Sequence, residues 1–243
     1  WAAGKAFYAD VMGWDSKDEP IGDGVFYTMY SQDGCNVGAI NPLQPELMEK
    51  GHPSYWSCYV TVDDVDAMAE KVTDLGGRLI AGPFDVFDDG RMITLQDPTG
   101  AVLCLWQPKN TIGAGMVNAP GAMLWNELIT NDPEKAMDFY GKLLGWTFMK
   151  DEKQDAYWMA VNNGRMNGGI MKMDEAMGEM QSAWMVYYNT SDLDAALEKV
   201  KKHGGKIHIE AVADGMGKFA MIGDPAGAMF YLMQTDQYEE WKE

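Results

Sequence analysis

Three histidines and three cysteines in 243 residues leave few side chains able to hold a metal ion or act as a nucleophile. Cys35, Cys58 and Cys104 form no CxxC pair, and Cys58 and Cys104 have no neighbouring histidine in sequence to generate a thiolate. His208 and Glu210 stand two apart in a stretch that reads as a strand, so they share one face, but no third ligand accompanies them; a solvated strand pair is the simpler reading. His52 lies among Gly and Pro in a loop, and His203 ends an apparent helix, where an imidazole complements the dipole. No Gly-x-Ser-x-Gly elbow, phosphate-binding loop or dinucleotide fingerprint occurs. Nucleophilic catalysis and nucleotide chemistry therefore have no support in these residues.

The elements that would position any site come from a globular chain. Hydrophobic residues at 47% and aromatics at 12% supply enough apolar surface for a core. The length favours two domains. A net charge of −18, spread along the chain, would repel a phosphate backbone and suits a well-solvated surface, so nucleic acid is not an expected partner. No apolar run approaches the roughly 18 residues that span a bilayer, so no membrane partner is expected either, and unpaired cysteines fit a reducing cytoplasm.

The chain repeats itself. Phe7-Tyr8 with Gly13-Trp14 returns as Phe139-Tyr140 with Gly145-Trp146, an offset of 132. Gly34, Gly38 and Ile40 return as Gly164, Gly168 and Ile170, and Trp56 with Asp64-Val65-Asp66 as Trp184 with Asp192-Leu193-Asp194. Gly76-Gly77 returns as Gly204-Gly205, and Asp97-Pro98-Thr99-Gly100-Ala101 as Asp224-Pro225-Ala226-Gly227-Ala228 at an offset of 127. Anchors in one order with a slowly drifting offset define two copies, 1–107 and 123–243, joined by a Gly-, Ala- and Pro-rich linker, 108–122. In the second copy, alternation predicts strand Leu124–Thr130, helix Pro133–Leu144 and strands near 146–150, 157–161 and 168–173. Strand Trp184–Thr190, helix Leu193–His203 and strands near 206–212, 218–222 and 229–234 follow. Asp132-Pro133 caps the first helix and Gly204-Gly205 ends the second. Each copy is βαβββ twice over, an α+β class in which helices cover one face of a cupped mixed sheet. Trp1 aligns with Pro133, so the strand equivalent to 124–130 has no counterpart in the first copy as given. Either the polypeptide continues upstream of Trp1, or that edge is filled by another segment, such as the acidic tail Thr235–Glu243, or by a partner chain in a homodimer.

This duplicated order, with helices ending Phe-Tyr…Gly-Trp and a last hairpin reading Asp-Pro-x-Gly-Ala, resembles the vicinal oxygen chelate superfamily of glyoxalases, bleomycin-resistance proteins and extradiol dioxygenases. Trp125-Asn126-Glu127-Leu128 and the run Gly217–Ala228 are similar to its tandem, glyoxalase-like branch. The resemblance implies a divalent metal held by His, Glu or Gln at set strand positions. Here those positions carry Trp125, Met185 and Tyr231 in the second copy and Ser57 and Cys104 in the first. Cys104 apart, none is a usual ligand, so neither a metal nor another cofactor is expected. Counting by twos from the same points places Trp125, Glu127, Met185, Tyr187 and Tyr231 inside one cup, and Ser57, Tyr59, Cys104 and Trp106 inside the other. Such a lining suits a hydrophobic or aromatic small molecule, and its simpler alternative is a cup that fills itself. Glu127 is the acidic group expected inside; an apolar cup would favour its protonated form and suit it to acid–base catalysis. The alternative is a Glu that orders its strand by binding a backbone amide or Arg165. Two functions follow from the resemblance: a metal-free protein binding a small apolar or aromatic molecule, or a lyase, isomerase or oxygenase using Glu127 or an unrecognised divalent metal.

Overall fold

The computed structural model describes residues 1–243 apart from Asp23, Gly178, Glu179, Asp214, Gly215, Glu239, Glu240 and Glu243. In chain order the first copy holds α1 (Ala2–Val11), β1 (Asp15–Gly22), β2 (Val25–Gln32), β3 (Cys35–Ile40), α2 (Pro45–Glu49), β4 (Tyr59–Thr61), α3 (Val65–Asp74), β5 (Arg78–Val86), β6 (Gly90–Gln96) and β7 (Val102–Pro108). The linker carries β8 (Met116–Val117). The second copy follows with β9 (Met123–Thr130), α4 (Pro133–Leu144), β10 (Thr147–Lys150), β11 (Tyr157–Asn162), β12 (Arg165–Lys172), β13 (Ala183–Asn189), α5 (Leu193–Lys202), β14 (Lys206–Ala213), β15 (Gly217–Gly223), β16 (Met229–Gln234) and β17 (Trp241–Lys242). The expected α+β architecture of cupped sheets with helices on one face is present.

The helices α3, α4 and α5 begin where acidic caps stand. Asp64, Asp132 and Asp192 accept from the backbone N–H three residues on, satisfying donors that a first turn leaves open, and Pro133 occupies the first turn of α4. The strands order by module: the first strand pairs in parallel with the fourth, which continues antiparallel to the third and second. This gives β4-β7-β6-β5, β9-β12-β11-β10 and β13-β16-β15-β14, with β1-β2-β3 in the module that opens the given sequence. Beside β3, the linker takes up part of that edge. Gly115 N–H donates to Asn36 O at 2.8 Å, and β17 in the tail pairs antiparallel with β8.

The chain compacts into two units, and each draws on both copies. One comprises Trp1–Trp56, Gly113–Leu124 and Val186–Glu243; the other comprises Ser57–Ile112 and Trp125–Met185. The copies 1–107 and 123–243 describe repetition along the chain, whereas compaction joins the first half of one copy to the second half of the other. A reciprocal pair of hydrogen bonds expresses this exchange. Tyr8 Oη donates to Asp224 Oδ2 at 3.0 Å, and Tyr140 Oη donates to Asp97 Oδ2 at 2.8 Å. Each tyrosine also accepts from an indole of its own copy, Trp56 Nε1 at 3.1 Å and Trp184 Nε1 at 2.9 Å. The other oxygen of each aspartate holds its own turn: Asp97 Oδ1 accepts from Thr99 N and Ala101 N, and Asp224 Oδ1 from Ala226 N and Ala228 N. Burial first, and then the facing aspartate charge, push both phenols well above their ordinary pKa, so they stay protonated donors.

Packing repeats the exchange. Phe7 of α1 lies against Gly205 at the end of α5, and Phe139 of α4 against Gly77 at the end of α3, at places where a Cβ would come within 2.9 Å of the ring. In the first unit Asp10 on α1 also holds the end of α5, with Lys202 Nζ and His203 Nε2 each at 2.8 Å. His203 thus gains a carboxylate partner at the helix C-terminus where the sequence placed it.

Removing the Tyr140 hydroxyl leaves a buried carboxylate and a buried indole each short of a partner. Tyr140→Phe is expected to lower stability to urea by about 1–3 kcal/mol, and Tyr8→Phe by a similar amount. Hydrogen bonds from Lys202 and then His203 hold the Asp10 carboxyl well below its ordinary pKa. A depressed carboxyl contributes stability above its unfolded pKa of about 3.9 and loses it as pH falls toward the folded value. The urea midpoint of Asp10→Asn should therefore trail wild type at pH 6 and converge with it as the pH falls below about 4.

Candidate functional site

The unit of residues 57–112 and 125–185 carries most of the chemistry found in the sequence. In β9, Leu128 is fully buried, as are Ile170 of β12 and Ala160 of β11. Alternation then turns Trp125, Glu127 and Ile129 to the opposite face. Register adds the neighbours on that face: Gly169 lies across from Glu127 and Met171 from Ile129, while Met159 lies across from Gly169 and Tyr157 from Met171.

Glu127 is buried there, 5% exposed. Its neighbour is the Tyr157 hydroxyl, which hydrogen-bonds to the carboxylate and accepts from Trp125 Nε1 at 3.0 Å. Gly169 makes the meeting sterically possible, since a Cβ at this position would collide with Tyr157 Oη. Burial first, and then the Glu127 charge, hold the Tyr157 phenol well above its ordinary pKa. The polar chain thus runs Trp125 to Tyr157 to Glu127 and ends on a carboxylate that can accept or, once protonated, return a proton.

The second sheet of this unit turns Cys58 toward α4, where it lies near Tyr140, and Ser57 and Tyr59 the other way. Tyr59 pairs with Cys104 in parallel register, and Cys104 with Thr94 in antiparallel register. Cys104 Sγ lies 3.5 Å from Thr94 Oγ1 and hydrogen-bonds Tyr59 as well. Burial pushes the Cys58 thiol up to about 12 and also raises that of Cys104, so both are thiols rather than thiolates at neutral pH. Trp106 is pinned by its indole N–H to Thr111 O at 3.0 Å over Gly90. Tyr59, Phe84 and Val102 are 51%, 44% and 40% exposed, so apolar surface remains open on this sheet.

The nine residues expected to line two cups are regrouped. Ser57, Tyr59, Cys104, Trp106, Trp125, Glu127 and Met185 belong to one compact unit, and Tyr187 and Tyr231 to the other. Tyr187 and Tyr231 stack on each other at 4.2 Å between centroids, 6° from parallel, with Phe219 edge-on to Tyr231. Tyr157 and Gly169 are the site residues that the sequence reading missed. Their signals are Gly168-Gly169 inside a strand, which marks a close approach, and the place of Tyr157 on the alternation of β11. His208 does not share a regular face with Glu210, because the register shifts between Ile207 and Ile209. A separate polar hollow of about 640 Å³, bordered by Thr99, Asn131, Lys172, Asp174, Gln181 and Ser182, involves none of the nine.

A sequence model of the Glyoxalase/Bleomycin resistance protein/Dioxygenase superfamily matches residues 2–105 and again 122–232. The chain belongs to that superfamily. Among its relatives, CFP32 of Mycobacterium tuberculosis, which carries a provisional glyoxylase name, is 38% identical over 237 residues, 96% of this chain and 90% of that protein. The anthracycline biosynthesis protein DnrV of Streptomyces peucetius is 30% identical over 252 residues, 96% of this chain and 88% of that protein. The Mn(II)-bound glyoxalase of Novosphingobium aromaticivorans shares the fold with a TM-score of 0.66 at 17% identity, over 99% of this chain and 79% of that one.

The Mn(II)-bound glyoxalase holds a metal, but the side chains that the resemblance puts at ligand positions here do not fit one. The only polar atom of the Trp125 side chain is a donor committed to Tyr157, Cys104 is a protonated thiol bonded to Thr94, and Tyr231 is stacked on Tyr187. Among the described residues no three His, Cys, Asp or Glu side chains converge. The chemistry this face offers is an apolar platform with one proton-accepting group.

Gly169→Ala is expected to push Tyr157 off Glu127 and Trp125. Its stability in urea should fall by about 1–3 kcal/mol, and the near-ultraviolet circular dichroism of the tryptophans should change with it.

Proposed function

We propose that the protein binds a flat apolar or aromatic small molecule, without a metal, on the face of the 57–112 and 125–185 unit that is turned away from its helices. The observation that carries this reading is open apolar surface at Tyr59, Phe84 and Val102 in a unit whose remaining polar feature on that side is the Trp125–Tyr157–Glu127 chain. Rings and methionines give shape-tolerant contact, and one buried polar group fixes orientation. The relative DnrV, named for the biosynthesis of polycyclic aromatic anthracyclines, supports an aromatic ligand class.

A second reading, catalysis by a lyase, isomerase or oxygenase of the superfamily, is favoured by one feature, the burial of Glu127 against a tyrosine hydroxyl. In that reading Glu127 exchanges a proton with the ligand and Tyr157 orients the carboxylate.

The test is a thermal-shift and calorimetry screen of naphthalenes and anthraquinones against aliphatic compounds of equal size. Aromatic compounds should raise the melting temperature, Tyr59→Ala should weaken their binding at least about threefold, and Lys172→Ala in the polar hollow should leave it unchanged. A preference for the aliphatic set, or loss of binding only in Lys172→Ala, would overturn the proposal. Turnover of a bound compound that disappears in Glu127→Gln would establish the second reading over simple binding.

A further inference from the structure

We propose that the polar hollow beside the Asp97 turn is a second binding site, for a small molecule carrying an ammonium and a carboxylate together, a free α-amino acid in chemical class. It goes beyond the aromatic reading and does not rest on it, since the hollow involves none of the residues on which that reading stands.

The hollow lies within one compact unit, between the turn that joins β6 to β7 and the segment that follows β12. Hydrogen bonds already made fix its frame. Asp97 Oδ1 accepts from Thr99 N at 2.7 Å and from Thr99 Oγ1 at 2.8 Å, and Gln96 Nε2 donates to Gly100 O at 2.9 Å. On the other wall the buried Ser182 Oγ donates to Thr130 Oγ1 at 3.0 Å, and Met173 N–H ties the segment to β9 by donating to Thr130 O at 2.8 Å. A space of about 640 Å³ between such walls is of the size that holds a small molecule.

The groups left over decide the chemistry. Lys172 ends β12, and Asp174 and Glu175 follow it on the border of the same hollow, yet the ammonium pairs with neither of them nor with any other described residue. The Glu175 carboxylate and the amides of Asn131 and Gln181 likewise have no hydrogen-bonding or ionic partner among the described residues, and Asp174 commits one oxygen, Oδ1, to Met177 N at 3.0 Å. Opposite charges that border one hollow without pairing are each open to a counter-charge. An anion would meet Lys172 but also two carboxylates, and a cation would meet the carboxylates but also the ammonium. A dipolar molecule engages both signs without a like-charge contact, and the free amides, donor and acceptor at once, can bond to either of its ends.

The scaffold itself does not require this set of groups. At the equivalent places of the other copy, by the repeat offsets, Lys172 is replaced by Pro42, Gln96 by Gly223 and Thr99 by Ala226. The cation, the amide and the hydroxyl therefore belong to this hollow and not to the fold that the two copies share.

Nuclear magnetic resonance titrations at pH 7 with L-glutamine, N-acetyl-L-glutamine, which lacks the ammonium, and L-glutaminamide, which lacks the carboxylate, test the proposal. Exposed ion pairs are individually weak, so glutamine should bind in the millimolar range and at least about threefold more tightly than either analogue. Lys172→Met should abolish the advantage over glutaminamide, and Glu175→Gln should shrink the advantage over N-acetylglutamine. Both variants should keep the wild-type melting temperature, because neither side chain has a partner to lose. Absence of glutamine binding at about 10 mM overturns the proposal. Tightest binding of glutaminamide overturns it in favour of a general attraction of cations to an acidic protein, and tightest binding of N-acetylglutamine overturns it in favour of an anion site. Glutamine binding unchanged in both variants overturns the placement in this hollow. Naphthalene binding by the same wild-type sample reads the aromatic proposal separately, so the two can fail independently.

Discussion

A tyrosine–aspartate hydrogen bond, made twice, is the contact on which the rest of the architecture turns. Each aspartate spends one oxygen closing its own hairpin and the other on a tyrosine from the opposite copy. The carboxylate is buried, 3% exposed at Asp97 and 6% at Asp224, so the tyrosine is the partner that makes its burial tolerable. The tyrosine in turn needs the indole of Trp56 or Trp184, which fixes where the chain leaves the first module of each copy. Helix, closing turn and inter-module segment are thereby set against one another within each unit.

The elements were largely legible in the sequence because each is specified locally. The repeat located both copies, Asp132 and Pro133 located the start of α4, and alternation placed the strands of the second copy within three residues of their observed bounds. Which modules compact together was not legible. Tyr8 and Tyr140 stand in the same motif, as do Asp97 and Asp224, so the sequence is equally consistent with a tyrosine bonding the aspartate of its own copy or of the other. Duplication erases the local difference that would distinguish the two pairings, and the choice is made by contacts far apart along the chain.

The site was legible to the same depth. Trp125 is a ligand position that the resemblance implied, and counting by twos from it reached Glu127, which holds as long as the strand is regular. Tyr157 reaches Glu127 from β11, one strand away across β12, and the failed pairing of His208 with Glu210 sits at a register shift. A bulge moves a side chain between faces without any change in hydrophobic pattern that composition could register. Neighbours across a sheet are therefore the information that a single-strand count cannot supply.

The two units also show how one substitution in a duplicated scaffold opens or fills a face. At equivalent strand positions the first copy has Tyr59 paired with Cys104, and the second has Tyr187 paired with Tyr231. Where both are tyrosine, the rings stack at 4.2 Å and Tyr231 is 4% exposed, so the face satisfies itself. Where the partner is cysteine, no second ring is present at that position, and Tyr59 is 51% exposed. The same fold, with tyrosine in one unit and cysteine in the other at equivalent positions, thus carries a stacked pair on one sheet and an exposed tyrosine on the other.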